Sequence, residues 1–253
     1  MQVHEDKANK NSINIWLYSL LFISAVSVLS YLAGRSPTTL TFAFVFIILL
    51  VPIFEYKGLI PPFEAKIFTP LKILSLSITV LIPGMLIINI LPLEWLRFTF
   101  FLLWIVNIGE AVLMDLKFKN IFNAISGILL IAVLIRIDNI KWVASEGMFL
   151  IGSSAIIYWV IAYLLWNLCF VYTTFKPAVA FHLFLTLTSS LVLVLTVGRP
   201  EQWFIYRGLT LLVGTVFINL VCKKFIIPRL DVKALEQVSD FMSVAWLKHA
   251  ITT

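Results

Sequence analysis

Long apolar runs separated by short polar or proline-marked breaks dominate the chain. The runs cover roughly residues 13–33, 38–55, 71–91, 96–115, 119–137, 149–172, 178–197 and 202–221. Each is near the 20 or so residues that a helix needs to cross a bilayer. Their punctuation is Gly34 to Pro37, Pro61-Pro62, Pro70, Pro92, Lys117 to Asn120, Asp138 to Glu146, Pro177 and Gly198 to Pro200. Such residues break helices or start turns. The runs are about twice as long as a barrel strand and lack polar alternation, which excludes a transmembrane β-barrel. The pattern predicts an all-α, polytopic transmembrane helix bundle of about eight spans over residues 1–222, with a basic cytoplasmic tail over 223–253. In that tail Val232, Leu235, Val238, Met242, Ala245 and Trp246 recur at helical spacing after Asp231. This predicts a C-terminal amphipathic helix that lies on the cytoplasmic leaflet, with membrane lipid as its partner, or docks on the bundle.

Composition agrees with the pattern. The 253 residues are 61% hydrophobic and 13% charged, and the mean hydropathy is +1.01. A soluble domain is about 45–50% apolar and about 25% charged. A soluble core could not hide this much apolar surface, so lipid must solvate most of it. The first apolar core, Ile13 to Ala33, exceeds the usual signal-peptide core and ends in Gly34-Arg35-Ser36, a poor cleavage site. An uncleaved first span is expected.

The net charge of +6 would raise the question of nucleic acid in a soluble protein. Here topology accounts for it. With eight spans both termini share a side, and every lysine except Lys141 falls there, with Arg229. Arg35, Arg97, Arg136, Lys141, Arg199 and Arg207 fall on the other side. The excess of positive charge places both termini in the cytoplasm of a cell (inner) membrane protein, and no nucleic-acid partner is expected.

Polar residues inside the runs are the candidates for chemistry. Glu110 is the deepest carboxylate, since every other Asp or Glu lies at or beyond a predicted span end. It stands about 8 Å inside the end marked by Asp115. Lys72, Asn107, Glu110, Asn123, Asn167 and His182 all fall in the predicted cytoplasmic half. Polar stripes on several helices should face one another, because lipid penalises them. They therefore predict a polar cavity open to the cytoplasm. An intramembrane acid whose protonation depends on its neighbours suits proton or cation coupling, or acid–base work. The alternative role for Glu110 is a hydrogen-bonded lock between helices, and the same choice stands for His182 and Asn167. Arg207, a turn inside the outer end of its run, is expected to snorkel to the headgroups. Trp16, Trp95, Trp142, Trp203 and Trp246 are expected in interfacial belts, with Trp104, Trp159 and Trp166 packed more deeply.

Several signatures are missing: HExxH, GxSxG, a Gly-rich phosphate loop and an aspartate-rich diphosphate motif. Cys169 and Cys222 have no second Cys or His at ligand spacing. No disulfide framework, no metal site and no cofactor are expected. The stretch NIGEAVLMDL (Asn107 to Leu116) followed by NAISGILL, and YLLWNLCFVY (Tyr163 to Tyr172), resemble segments of an uncharacterised family of bacterial multi-pass membrane proteins. That resemblance implies a membrane protein and no particular activity.

Three readings stay open on these residues. The first is a small-solute or ion transporter or binding protein with Glu110 as its protonatable centre and a proton or small solute as partner. The second is a membrane-embedded enzyme acting on a lipid-like substrate with Glu110 and His182. The third is a structural or assembly protein.

Overall fold

The computed structural model describes residues 13–35, 92–137, 140–143, 148–197, 199–230 and 235–237, with the single positions 46, 50, 53 and 57. Its helices are α1 (Ile15–Arg35), α2 (Leu93–Lys117), α3 (Ile121–Ile135), α4 (Ile156–Thr174), α5 (Pro177–Val197) and α6 (Trp203–Phe217). An antiparallel hairpin of β1 (Ile140–Val143) and β2 (Met148–Ile151) joins α3 to α4. A 3-10 turn, Pro200–Gln202, precedes α6, which continues into a π-helix, Ile218–Ile226, and a second 3-10 turn, Ile227–Arg229.

Four helical stretches are long and apolar enough to cross a membrane: Ile15–Arg35, Phe98–Lys117, Ile156–Thr174 and Pro177–Thr196. At 15 residues, α3 is about 22 Å long, shorter than a hydrocarbon core of about 30 Å. Exposed side chains on these helices are strongly apolar, among them Leu17, Leu20 and Leu21 of α1 and Phe122, Ile128 and Leu129 of α3. Such a surface suits lipid better than water.

The expectations need correction at one connection. The run predicted as a span over 149–172 starts too early, because Met148–Ile151 is a strand and the helix begins at Ile156. The register pairs Ile140 with Ile151 and Val143 with Met148. The hairpin is thus an exception to the all-α expectation. A short apolar run does not distinguish strand from helix by periodicity alone. Gly152, at φ 79°, then turns the chain out of the strand, a conformation that glycine adopts without strain. Apart from the single positions 46, 50 and 53, the expected spans over 38–55 and 71–91 lie outside the described residues, as does most of the tail. In the tail, Leu235 is buried while Glu236 and Gln237 are exposed.

Two neighbouring groups of helices build the core. In one, α2 and α3 form an antiparallel pair against which α4 packs; in the other, α1, α5 and α6 meet one another. The α4–α5 contact connects them. Cross-helix contacts fix the directions. Tyr18 meets His182 and Ser27 meets the backbone of Ser189, so α1 and α5 are parallel. Trp159 reaches Leu130 and Trp166 reaches Asn123, so α4 is antiparallel to α3. Thus α1, α3 and α5 run one way and α2, α4 and α6 the other. The ends of α1, α3 and α5 lie toward the hairpin; the ends of α2 and α4 lie at the opposite, polar end.

Two glycines permit close approach. A Cβ on Gly127 of α3 would stand 2.5 Å from Val112 Cγ2 and 3.0 Å from the Trp166 ring. A Cβ on Gly214 of α6 would collide with the Thr186 methyl of α5.

Candidate functional site

Among the described residues the most enclosed carboxylate is Asp115, not Glu110. Asp115 lies in the last turn of α2 and is fully buried. The chain leaves α2 by a Schellman turn: Asn120 N–H donates to the Asp115 carbonyl at 2.8 Å, and Lys119 N–H to the Leu116 carbonyl at 3.1 Å. Lys119 takes the left-handed conformation at φ 62°, as the residue after a helix cap does in this motif. The turn brings two amides back onto the carboxylate. Asn123 donates to Asp115 Oδ2 at 2.7 Å and Asn120 to Oδ1 at 3.1 Å. Both carboxylate oxygens are therefore occupied.

Asn123 is held on its other side as well. Trp166 Nε1 donates to the Asn123 carbonyl at 2.8 Å, which ties α4 to the first turn of α3. Next along α4, Asn167 is buried and donates to the Tyr163 hydroxyl at 3.2 Å. The structure thus brings Asp115, Asn120, Asn123 and Trp166 into one network, with Asn167 beside it on α4.

Glu110 and Asn107 occupy a different strip of α2. The buried stripe of this helix runs through Phe100, Trp104, Ile108, Ala111, Val112 and Asp115. Asn107, Glu110 and Met114 are half-buried and lie beside that stripe. Asn107 Nδ2 donates to the Leu103 carbonyl at 2.8 Å, within its own helix. Lys72, predicted on a facing helix, lies outside the described residues.

His182 belongs to a second polar group, between α1, α5 and the π-helix. Its Nδ1 stands 2.6 Å from the Ala178 carbonyl, and its Nε2 stands 2.7 Å from the Tyr18 hydroxyl. A carbonyl only accepts, so Nδ1 carries the proton. In the neutral ring Nε2 then accepts from Tyr18. The Tyr18 oxygen is also 3.1 Å from Cys222 Sγ, which completes a thiol–phenol–imidazole chain. The edges and faces of Tyr18, Phe22 and Phe181 surround the imidazole at centroid distances of 5.6–5.7 Å. Both ring nitrogens of His182 are committed to this group, and Glu110 is not a member of it. The single polar cavity expected from the sequence is, among the described residues, two polar groups.

Tyr18, Cys222 and Asp115 were not singled out as site residues by the sequence. Asp115 had a readable signal, because Asn120 and Asn123 follow it at a spacing that one tight turn folds back. Tyr18 and Cys222 had none, since their contact spans the length of the chain. Among the described residues, no three His, Cys, Asp or Glu side chains come together as a metal site would require.

A third feature lies at the opposite end of α6. Arg207 is only 5% exposed, so it does not snorkel out of the protein as expected. Trp203, expected in an interfacial belt, is fully enclosed, whereas Trp16 and Trp95 are exposed as belt positions require. Trp203 and Phe204 begin α6 and pack among Trp104 of α2 and Trp159 and Tyr163 of α4, with centroids 4.9–6.1 Å apart. No protein-family model matches the chain, and no curated protein or solved structure is similar to it.

Proposed function

We propose that this chain is a multi-pass protein of the cell (inner) membrane, with both termini cytoplasmic, that binds or carries a small solute or ion with Glu110 as its protonatable centre. One observation carries this reading. The apolar, membrane-length helix α2 keeps two carboxylates in its C-terminal half, Asp115 enclosed and Glu110 half-buried. Acidic groups inside a membrane are costly and commonly mark ion or substrate paths. Two amides occupy Asp115. Glu110 lies about 8 Å further along the helix. The alternating helix directions support the eight-span topology. Lys117, Lys119 and Lys176, exposed at the polar end, support the cytoplasmic assignment of that end.

A helix-locking role is favoured for two other residues. Asp115 and His182 each have their hydrogen-bonding atoms taken up within the protein. The enzyme reading, which joins Glu110 to His182, draws no support from an imidazole so committed.

Carbodiimide labelling in proteoliposomes tests the proposal, since dicyclohexylcarbodiimide attacks carboxyl groups in apolar surroundings. Mass spectrometry should find Glu110 modified. A screen of sodium, potassium and amino acids should find a solute that protects it. Glu110→Gln should retain the wild-type melting temperature. If Glu110 stays unmodified and Glu110→Gln melts several degrees lower, the residue is a helix lock and the carrier reading fails.

A further inference from the structure

We propose that the junction of α2, α4 and α6 binds an oxyanion, a carboxylate or phosphate, carried on an apolar body. Four buried indoles surround or adjoin this junction, and they divide into two kinds. Trp159 Nε1 donates to the Leu130 carbonyl at 3.1 Å and Trp166 Nε1 to the Asn123 carbonyl at 2.8 Å. Trp104 Nε1 and Trp203 Nε1 are enclosed and have no hydrogen-bond partner. These two rings are neighbours, with centroids 5.7 Å apart.

Arg207 supplies the charge. It follows Trp203 by four residues and Phe204 by three, so its side chain leaves α6 on the face bearing those rings. Arg207 Nε and Nη1 are buried without a partner. Buried polar groups are overwhelmingly hydrogen-bonded.

The chemistry of the unmet groups selects the ligand. Four are N–H donors, two on neutral indoles and two on one guanidinium, against one acceptor, Gln202 Oε1 just before Trp203. The donors require a group rich in acceptors and negative in charge. The guanidinium fork matches a carboxylate or phosphate edge. The N-terminus of the 15-residue α6 adds a favourable field for an anion. Trp159, Tyr163 and Phe204 wall the junction with rings, which suits an apolar body next to the charged head. Both a lipid headgroup and a free amphipathic acid offer this chemistry. The site uses neither Glu110 nor Asp115 and stands whether or not Glu110 is a proton centre.

Thermal melting of the detergent-purified protein, with tryptophan emission followed in parallel, tests the site. The probes are laurate, dodecanol, inorganic phosphate, and nanodiscs of phosphatidylglycerol or phosphatidylcholine. An oxyanion should raise the wild-type melting temperature and change the emission of the enclosed indoles; dodecanol, which has no oxyanion, should do neither. A response to laurate or phosphate supports a free anion. A response confined to the phospholipid nanodiscs supports a lipid headgroup. Arg207→Gln should abolish the response. If that variant does not fold, Trp203→Phe keeps the ring and removes one donor, and it should bind about fivefold more weakly, as one lost hydrogen bond implies. The site is refuted if no anionic probe stabilises the protein, if dodecanol works as well as laurate, or if the substituted proteins respond as the wild type does.

Discussion

The Tyr18 hydroxyl stands 2.7 Å from His182 Nε2 across a sequence separation of 164 residues, and 3.1 Å from Cys222 Sγ. One phenol thereby joins α1 to α5 and to the π-helix. Tyr18→Phe keeps the ring contacts and removes both bonds. It should lower stability by about 1 kcal/mol, the net worth of a buried hydrogen bond. Melting in detergent would show this. A double-mutant cycle with His182→Ala should show coupling, because the two residues share the interaction. Strict additivity would dissolve the proposed chain of bonds.

Asp115 is predicted to matter through the amides that it accepts from. Asp115→Ala leaves Asn120 and Asn123 without their buried acceptor, at a cost of about 1–3 kcal/mol. Asn123→Ala removes one of the two bonds to the carboxylate and should cost less. A loss for Asp115→Ala no greater than that of an exposed substitution, measured as melting temperature, would show that the network contributes nothing to the α2–α3 turn.

Lys119 sits in a conformation that disfavours any side chain, and the Schellman geometry around it is complete. Lys119→Gly should therefore stabilise the protein by about 0.5–1 kcal/mol, the left-handed penalty less the added freedom of the unfolded chain. Lys119→Val should melt lower than the wild type. If Lys119→Gly melts below the wild type, the turn does not have this conformation.

Gly214 lets α6 approach α5 closely enough that an added Cβ would strike the Thr186 methyl. Gly214→Ala should cost about 1–3 kcal/mol, as overpacking does. Thr186→Ser deletes that methyl and should recover part of the loss. Absence of rescue, with Gly214→Ala still destabilising, would mean that another contact sets the spacing.

How much of this was legible depended on the range of each interaction. Helices α1, α2, α4 and α5 followed from runs of uniform hydropathy, a signal that needs no partner. The α2–α3 break was visible at Lys117 to Asn120, because its turn chemistry is local. The hairpin was not, since Met148 to Ile151 is as apolar as the helix that follows and only pairing with Ile140 to Val143 makes it a strand. Position along a helix did not translate into enclosure. Glu110 is further from the helix end, yet Asp115 is better enclosed, because enclosure comes from neighbouring helices and from two asparagines that fold back. For Arg207 the sequence supplied a depth compatible with snorkelling, but the residue is enclosed by the protein.

The pairing of α1 with α5 and the π-helix has a consequence for how the protein is made. A ribosome finishes α1 long before it reaches His182, Ser189 or Cys222, so the newborn helix has none of the partners that later engage Tyr18 and Ser27. Its polar side chains must wait until the last described helices emerge. Assembly of α1 with α5 and the π-helix is therefore a late event, and chains halted before Pro177 would hold α1 without the groups that engage Tyr18 and Ser27.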